Sequence, residues 1–222
     1  MSDPDEAWLR QQIIDTARIM SDEGLSPGTS GNVSARWNGG MLITPTGMAY
    51  GDLIPEDIVF MDQKGEATEG ARKPSSEWRF HFSAYGARAD AHAIVHTHSR
   101  YATALACCRK PIPAFHYMVA VAGGNDIPVA GYATFGTDAL ADSVAGALED
   151  RRACLMANHG VIACGVDLDA ALGLAREVES LAAQYVAALE AGEPHILDDA
   201  EMARVLERFR SYGQRKDDER VK

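Results

Sequence analysis

The chain of 222 residues lacks long apolar runs and a basic, apolar start. No uninterrupted apolar segment approaches the roughly 18 residues that a membrane-spanning helix needs. The first six residues, Met1-Ser-Asp-Pro-Asp-Glu6, are acidic, so the sequence does not predict a secretory leader. We therefore expect a cytoplasmic protein that has no membrane partner.

Positive charge is also scarce. Lysine and arginine together number 21, against 32 aspartates and glutamates, and the formal net charge is −11. Proteins that bind nucleic acid gain much of their affinity by neutralising phosphates, so we expect no nucleic-acid partner. The sign of the charge does not exclude a small anionic substrate, because a local pocket can oppose the overall field.

Cysteines are few, and none of them forms a Cys-x-x-Cys pair. The four residues are Cys107, Cys108, Cys154 and Cys164. Without paired spacing or a secretory leader, neither a disulfide framework nor a zinc knuckle is indicated. The sequence predicts reduced, buried thiols that behave as small apolar side chains.

The remaining composition is typical of a soluble globular protein, with 46% apolar and 24% charged residues and no internal repeat. Helical and strand patterns intermingle without regular alternation, which favours one mixed α/β domain over a doubly wound parallel sheet. Helices are predicted at 5–23, 77–87, 99–108, 114–122, 137–150, 167–191 and 198–212, and strands at 32–37, 41–44, 58–61, 92–98, 127–130, 154–158 and 161–164. We expect one domain over 1–213 and a charged, mobile tail over 214–222.

The strongest chemical signal is the pair His96-Thr-His98 at the end of a predicted strand. Residues i and i+2 of a strand point to the same face, so the two imidazoles should lie side by side. His159 lies in a tight turn, Asn158-His-Gly160, between two apolar strands. A lone histidine is more often structural, but catalytic zinc typically takes three protein ligands and keeps one open position. These three histidines are therefore candidate metal ligands.

Three short segments are suited to a phosphate group. Gly28-Thr-Ser-Gly-Asn32 permits positive φ and close approach of an anion, and Thr46-Gly47 offers a hydroxyl and a backbone N–H. Ser75-Ser76 precedes a predicted helix, where unpaired N–H groups favour an anion. No Walker-type lysine accompanies these segments, so a phosphate monoester is a better candidate than a nucleoside triphosphate.

Two further residues are candidates for proton transfer. Glu77, at the start of the predicted helix, could serve only to complement the helix dipole. Beside a metal and an anion site it becomes a candidate base. Tyr117, in Phe115-His-Tyr117, is a candidate acid, although a tyrosine there could equally pack against a neighbour.

Taken in order, these segments resemble the class II aldolase/adducin family. The motifs that carry the resemblance, which extends from about residue 8 to Gly213, are Gly28-Thr-Ser-Gly-Asn-Val-Ser34, Met41-Leu-Ile-Thr-Pro-Thr-Gly47, Lys73-Pro-Ser-Ser-Glu77, His96-Thr-His98 and Asn158-His-Gly160. The resemblance is closest to the L-fuculose-1-phosphate aldolase subgroup, on Ser75-Ser-Glu-Trp-Arg-Phe80, Ile112-Pro-Ala-Phe-His-Tyr-Met118 and Tyr132-Ala-Thr-Phe-Gly136.

This resemblance implies a three-layer fold with a mostly antiparallel central sheet, and a cyclic homotetramer with active sites between subunits. It implies reversible cleavage of a ketose 1-phosphate, such as L-fuculose 1-phosphate or a deoxy-pentulose 1-phosphate, to dihydroxyacetone phosphate and a short aldehyde such as lactaldehyde. Zn²⁺, or another divalent ion such as Mn²⁺ or Co²⁺, would be held by His96, His98 and His159, with Glu77 near or on the metal. Phosphate would contact Thr29, Asn32, Thr46, Gly47, Ser75 and Ser76.

For the remaining site residues, the resemblance implies that Tyr117 reaches the active site of the neighbouring subunit. Phe135 would shape the aldehyde pocket, and Tyr212 would cover the bound substrate. Two positions depart from the subgroup, because Asn158 stands where a second histidine is common and Thr97 stands where an asparagine is common. Both could alter the hydrogen bonds that surround the metal ligands.

Other members of the family leave alternatives open. A methylthioribulose-1-phosphate dehydratase keeps a metal and a glutamate, whereas the pentulose-phosphate 4-epimerases usually carry aspartate at the position of Glu77. The non-catalytic adducin head is a different class of function, and it is expected to lose metal ligands. All three candidate histidines remain here, which favours an enzyme.

Overall fold

The structure is a computed structural model that describes residues 4–68 and 72–211. Its helices are α1 (Pro4–Asp22), α2 (Trp78–Ala87), α3 (Arg100–Cys107), α4 (Asp138–Leu148), α5 (Leu168–Ala191) and α6 (Asp199–Ser211). Its strands are β1 (Asn32–Trp37), β2 (Gly40–Ile43), β3 (Val59–Met61), β4 (Ala93–Thr97), β5 (Ile112–Pro113), β6 (Asp126–Ile127), β7 (Val129–Ala130), β8 (Ala153–Met156) and β9 (Gly160–Gly165). Within these bounds no helix is long and apolar enough to cross a membrane.

Seven strands form one sheet in the order β3-β2-β1-β4-β9-β8-β7, and β5 and β6 form a separate pair. All neighbours in the large sheet are antiparallel except β7 and β8. The predicted single-domain α/β fold with a mostly antiparallel sheet is therefore confirmed.

Helices cover both faces of this sheet, which gives the three layers. On one face α1, α3 and α5 pack through residues such as Ile13, Leu105 and Val178. On the other face α2 and α4 pack through residues such as Phe80 and Val144. Side chains of a strand alternate between faces, so the central strands contribute apolar side chains to both cores.

The predicted elements are found with small shifts of their ends, and two differ in kind. Residues 114–122 were expected to be a helix, but only Tyr117–Ala122 is helical there, as a 3-10 segment. The single strand expected at 127–130 is two short strands, β6 and β7, in different sheets. The strand expected at 92–98 ends at Thr97, so His98 lies just beyond it.

The prediction of four buried cysteines is half right. Cys154 and Cys164 are buried on β8 and β9, where burial raises the pKa of both thiols, that of Cys164 to about 12. Cys107 and Cys108 are exposed, because α3 ends at this point and turns its C-terminus to solvent. The predicted tail over 214–222 lies outside the described residues.

Candidate active site

Glu77, His96, His98 and His159 converge on one point beside the sheet. One ligand atom from each residue can be chosen so that all four lie within 4.8 Å of one another. Glu77 Oε2 lies 3.1 Å from His96 Nε2, and Glu77 Oε1 lies 2.9 Å from His159 Nε2. The Nε2 atoms of His96 and His98 are 3.0 Å apart. Three candidate ligands from two distant parts of the chain thus share one site with the candidate base.

The sheet register explains why His96 meets Glu77. Along β4, Val95 packs in the core beneath α1 and α5, and Ile94 packs in the core beneath α2. His96 has the same parity as Ile94, so it points toward α2, and Glu77 is the residue that immediately precedes α2. The His96 Nδ1 atom lies 2.7 Å from the Val161 carbonyl, which orients the ring with Nε2 toward the site.

The other two histidines are positioned by tight backbone geometry. His159 follows Asn158, which has a left-handed φ of 54°, a conformation that asparagine tolerates better than most residues. Gly160 then allows close approach, because a Cβ there would lie 2.4 Å from the Thr97 carbonyl oxygen and 2.9 Å from His98 Cδ2. The two imidazoles can meet only because residue 160 has no side chain.

The donor set fits a divalent metal ion. Three imidazole nitrogens and one carboxylate are typical ligands of catalytic zinc. The three ring centroids lie 4.9 to 5.0 Å apart, and the ring planes are inclined by 76° to 86° to one another. The rings therefore occupy three directions around one point and leave the side toward the cavity to an incoming ligand.

The electrostatics keep the site ready for a cation. Burial raises the pKa of Glu77, but the charges and hydrogen bonds of His96 and His159 outweigh that effect and hold the pKa well below its usual range. Burial and the neighbouring imidazoles lower the pKa of His98 to about 3. An ionised carboxylate and a neutral imidazole are the protonation states that bind metal ions.

A cavity of about 350 Å³ opens from this cluster to solvent. Its lining residues are Thr29, Ser30, Gly31, Asn32, Pro45, Thr46, Gly47, Ser75, Ser76, Glu77, His98, Tyr132, Ala133, Phe135, Asn158 and His159. We call the end with the histidines and Glu77 the imidazole end. The end with Thr29, Thr46, Gly47, Ser75 and Ser76 is the loop end, and Tyr132, Ala133 and Phe135 form the aromatic rim.

The loop end is held together by backbone contacts. The Thr46 N–H donates to the Lys73 carbonyl at 3.1 Å, and the Ser75 N–H donates to the Thr44 carbonyl at 3.0 Å. Gly28 and Gly47 have φ values of 64° and 70°, which few other residues adopt. Among the residues that line the described cavity there is no lysine or arginine, and the groups that this lining offers an anion at the loop end are hydroxyl and N–H groups.

The start of α2 differs from the prediction. Glu77 was expected inside the helix, in its first turn, but the helix begins at Trp78, and Glu77 holds the cap position without a side-chain cap hydrogen bond. Ser75 Oγ instead accepts the Glu77 N–H at 3.3 Å. Because Glu77 is outside the helix, its carboxylate is directed toward the histidines.

Most of the predicted site residues line this cavity, and His96 belongs to the histidine cluster although it is not among the lining residues. Tyr117 begins the 3-10 segment, is 50% exposed, and borders a different cavity with Met118, Val205, Arg208 and Phe209. In a single chain it does not contribute to the site. Tyr212 lies outside the described residues.

Sequence reasoning missed part of the surroundings of the site. Asn32 was assigned only to phosphate, but its Nδ2 also donates to Glu77 Oε2 at 2.9 Å. His81, which no sequence motif singles out, lies directly behind Asn32. The contact joins β1 to α2 across 49 residues of sequence, so no local pattern indicates it.

Comparison with known proteins agrees with the fold and with the site. Residues 11–186 match the family model described as "Class II Aldolase and Adducin N-terminal domain". The chain is 55% identical over 205 residues to the "5-methylthioribulose-1-phosphate/5-deoxyribulose-1-phosphate aldolase" of Rhodospirillum rubrum, with 92% of each chain covered. It is 53% identical over 208 residues to the "L-fuculose phosphate aldolase" of Escherichia coli K12, covering 93% of this chain and 96% of that protein.

Among solved structures, an "L-fuculose 1-phosphate aldolase" superposes with a TM-score of 0.89 at 44% identity, over 95% of this chain and 98% of that one. The fold and the cluster of three histidines and a glutamate thus define a metal-dependent lyase of the class II type. The chain belongs to the class II aldolase family.

Proposed function

We propose that the protein is a zinc-dependent aldolase that reversibly cleaves a ketose 1-phosphate to dihydroxyacetone phosphate and a short aldehyde. The observation that carries the proposal is the meeting of Glu77 with three imidazoles at one end of a cavity whose other end is rich in hydroxyl and N–H groups. The cavity volume of about 350 Å³ is within the range of small-molecule sites.

A divalent cation held by His96, His98 and His159 would polarise the ketose carbonyl and stabilise the negative charge that develops as the carbon–carbon bond breaks. Zn²⁺ is our candidate, with Mn²⁺ or Co²⁺ as substitutes. Glu77 acts as the base, and in the condensation direction it removes the C1 proton of dihydroxyacetone phosphate. Its ionised carboxylate is buried, so little water competes for it.

The loop end holds the phosphate. Thr29, Thr46, Gly47, Ser75 and Ser76 present hydroxyl and backbone groups there, with Asn32 between them and Glu77. Phosphate binding at a distance from the reacting carbons fixes their position relative to Glu77, which converts binding energy into rate.

The proton donor for the aldehyde oxygen comes from a second copy of the chain in our proposal. Tyr117 is half-exposed and lies outside the cavity of its own chain, so it could serve only the site of a neighbour. We propose a cytoplasmic homotetramer with sites at the subunit interfaces. Tyr212 is proposed to cover bound substrate.

The aromatic rim sets the aldehyde class. Tyr132 and Phe135 are exposed at the cavity mouth, and with Ala133 they form an apolar wall. An apolar wall favours a carbon chain that ends in a methyl or methylthio group over one that ends in a hydroxyl. We therefore propose L-fuculose 1-phosphate, 5-deoxyribulose 1-phosphate and 5-methylthioribulose 1-phosphate as the substrates to test first.

A coupled assay for dihydroxyacetone phosphate, run on this panel with and without chelator, tests the proposal. We expect release from at least one member, loss of release with chelator, and recovery with added Zn²⁺. If the substrate lost water, or was inverted at C4 without release of dihydroxyacetone phosphate, the activity would be that of a dehydratase or an epimerase of the same fold, and the aldolase proposal would be wrong. Absence of bound metal from pure protein would remove the catalytic proposal altogether.

A further inference from the structure

A chain of buried polar side chains continues behind Glu77 into the protein. Asn32 Nδ2 donates to Glu77 Oε2 at 2.9 Å, and Asn32 Oδ1 contacts His81 Nε2. His81 Nδ1 lies 2.7 Å from Ser34 Oγ, which lies 2.8 Å from the Tyr85 hydroxyl. All four supporting residues are at least 96% buried, so no bulk water replaces these contacts.

The directions of the hydrogen bonds in this series follow from the contact between Asn32 and Glu77. A carboxylate oxygen accepts and an amide oxygen cannot donate, so Asn32 must face Glu77 with its NH₂ group. Asn32 Oδ1 then faces His81 and needs a donor, which makes His81 Nε2 the protonated nitrogen. His81 Nδ1 is left as an acceptor, so Ser34 donates to it, and Tyr85 donates to Ser34.

The reverse arrangement contains a repulsive contact. If Asn32 were flipped, its amide oxygen would face a Glu77 oxygen inside the protein, where an unpaired acceptor costs about 1–3 kcal/mol. His81 would then carry its proton on Nδ1. The tautomer of one buried histidine is therefore tied to the orientation of the amide that supports the base.

We infer that His81, as the neutral Nε2–H tautomer, is a positioning residue that fixes the Asn32 amide and so holds the Glu77 carboxylate in place. The inference rests on the proposed function only for its effect on rate. Its structural part, the tautomer and the amide orientation, holds whatever the substrate is.

Further contacts hold Tyr85 and His81, the inner members of this hydrogen-bonded series, in place. The Arg36 guanidinium donates to the Tyr85 carbonyl and lies 4.6 Å from the centre of the Tyr85 ring. Phe80 stacks on the His81 ring, with centroids 4.9 Å apart. Since Asn32 pairs with His96 across β1 and β4, the support of the base and the first candidate ligand share one pair of strands.

Two substitutions of His81 separate positioning from packing. In His81→Gln the side-chain amide can reach the place of Nε2 and still donate to Asn32, whereas in His81→Asn it can reach only the place of Nδ1. We expect kcat within about fivefold of the wild-type value for His81→Gln. We expect a loss of about 10–100-fold for His81→Asn, with zinc content and KM unchanged in both. Equal losses in the two variants would assign His81 a packing role and overturn the inference.

The tautomer is measured directly by long-range ¹H–¹⁵N correlation spectra of the wild-type protein, with His81 assigned by comparison with His81→Gln. We expect a protonated Nε2 and an unprotonated Nδ1, both with Zn²⁺ bound and after chelation. A protonated Nδ1 would overturn the inference even if both variants behaved as expected. If the substrate panel gave no turnover, the proposed function would fall, and this spectrum would still decide the role of His81.

Discussion

The imidazole end and the loop end of the cavity are built in different ways. His96 and Glu77 are buried and are fixed by a strand and by the start of a helix. Thr29, Thr46, Gly47 and Ser76 are exposed and belong to connecting loops, and of the loop end only Ser75, next to the cap of α2, is buried. The buried end holds the groups that must keep their geometry during the reaction, and the exposed end holds those that exchange ligands with water.

This difference indicates where a substitution should affect rate and where it should affect binding. Buried polar groups have few alternative partners, so a change at the imidazole end is costly. Exposed hydroxyl groups can be replaced in part by water, so a change at the loop end is less costly. Substitutions at the imidazole end should therefore have larger effects than substitutions of exposed residues at the loop end.

Glu77→Gln should have the largest effect. The amide keeps the shape of the side chain but cannot accept the C1 proton, so kcat should fall by about 10²–10⁴-fold. The coupled assay measures the loss, and metal analysis should find zinc still bound by the three histidines. Glu190→Gln, an exposed change on α5, is the matched control and should leave kcat unchanged. Near-normal turnover in Glu77→Gln would show that another group is the base.

Gly160→Ala should destabilise the imidazole end. The new Cβ would lie 2.4 Å from the Thr97 carbonyl, so β4 or β9 must shift, and overpacking of this kind costs about 1–3 kcal/mol. Urea unfolding of the metal-free protein measures the loss, and zinc affinity should weaken with it. Gly173→Ala, on α5 with no atom within 4 Å of the new Cβ, should be neutral or stabilising by up to about 1 kcal/mol. Similar effects in both variants would contradict the close-approach argument.

Local sequence patterns were sufficient to identify the candidate residues of the imidazole end, but not to show that these residues meet. The spacing of His96 and His98 places both at one strand end, and Asn158-His-Gly160 marks a turn between two apolar strands. What joined these segments was the order of strands, which local patterns do not determine. The resemblance to a family supplied the grouping of the three histidines, and the observed pairing of β4 with β9 brings the segments that carry them together.

The sequence did not predict the residues that hold Glu77 in place. The contact of Asn32 with His81 depends on how α2 lies across β1, and no residue pattern gives that distance. The place of Tyr117 cannot be read from one chain either, because its proposed partner belongs to another subunit. Boundaries also shifted, as at Glu77, where the hydroxyl of Ser75 competes for the first N–H groups of the helix.

The free energy of unfolding should fall in acid because His81, in the buried network behind Glu77, is held neutral in the folded protein. Burial, together with the charge on His96, lowers the pKa of His81 from 6.5 to about 3. Between these values the unfolded chain binds a proton that the folded chain does not, so stability decreases as the pH falls below 6.5. Between pH 7 and pH 5 we expect His81 to account for a loss of about 2 kcal/mol.

Urea unfolding of the metal-free protein at both pH values tests this expectation. His81→Gln should remove that part of the pH dependence, because glutamine does not titrate. His195→Gln, a change at an exposed histidine, should leave the pH dependence as it is in the wild type. An unchanged difference between pH 7 and pH 5 in His81→Gln would show that His81 takes up its proton in the folded protein.

Thr29→Ala should have the smallest effect, and the effect should be confined to phosphate. The side chain is exposed at the loop end, so we expect kcat/KM to fall roughly tenfold for a ketose 1-phosphate, through KM, and to be unchanged for the ketose without phosphate. Thr68→Ala, an exposed change outside the cavity, is the control. Ser75→Ala should differ from Thr29→Ala, since Ser75 Oγ also accepts the Glu77 N–H at 3.3 Å and its loss should lower kcat as well. If Thr29→Ala lowered kcat as much as Ser75→Ala, an exposed loop-end residue would also position the base, and the division between exposed and buried groups would not hold.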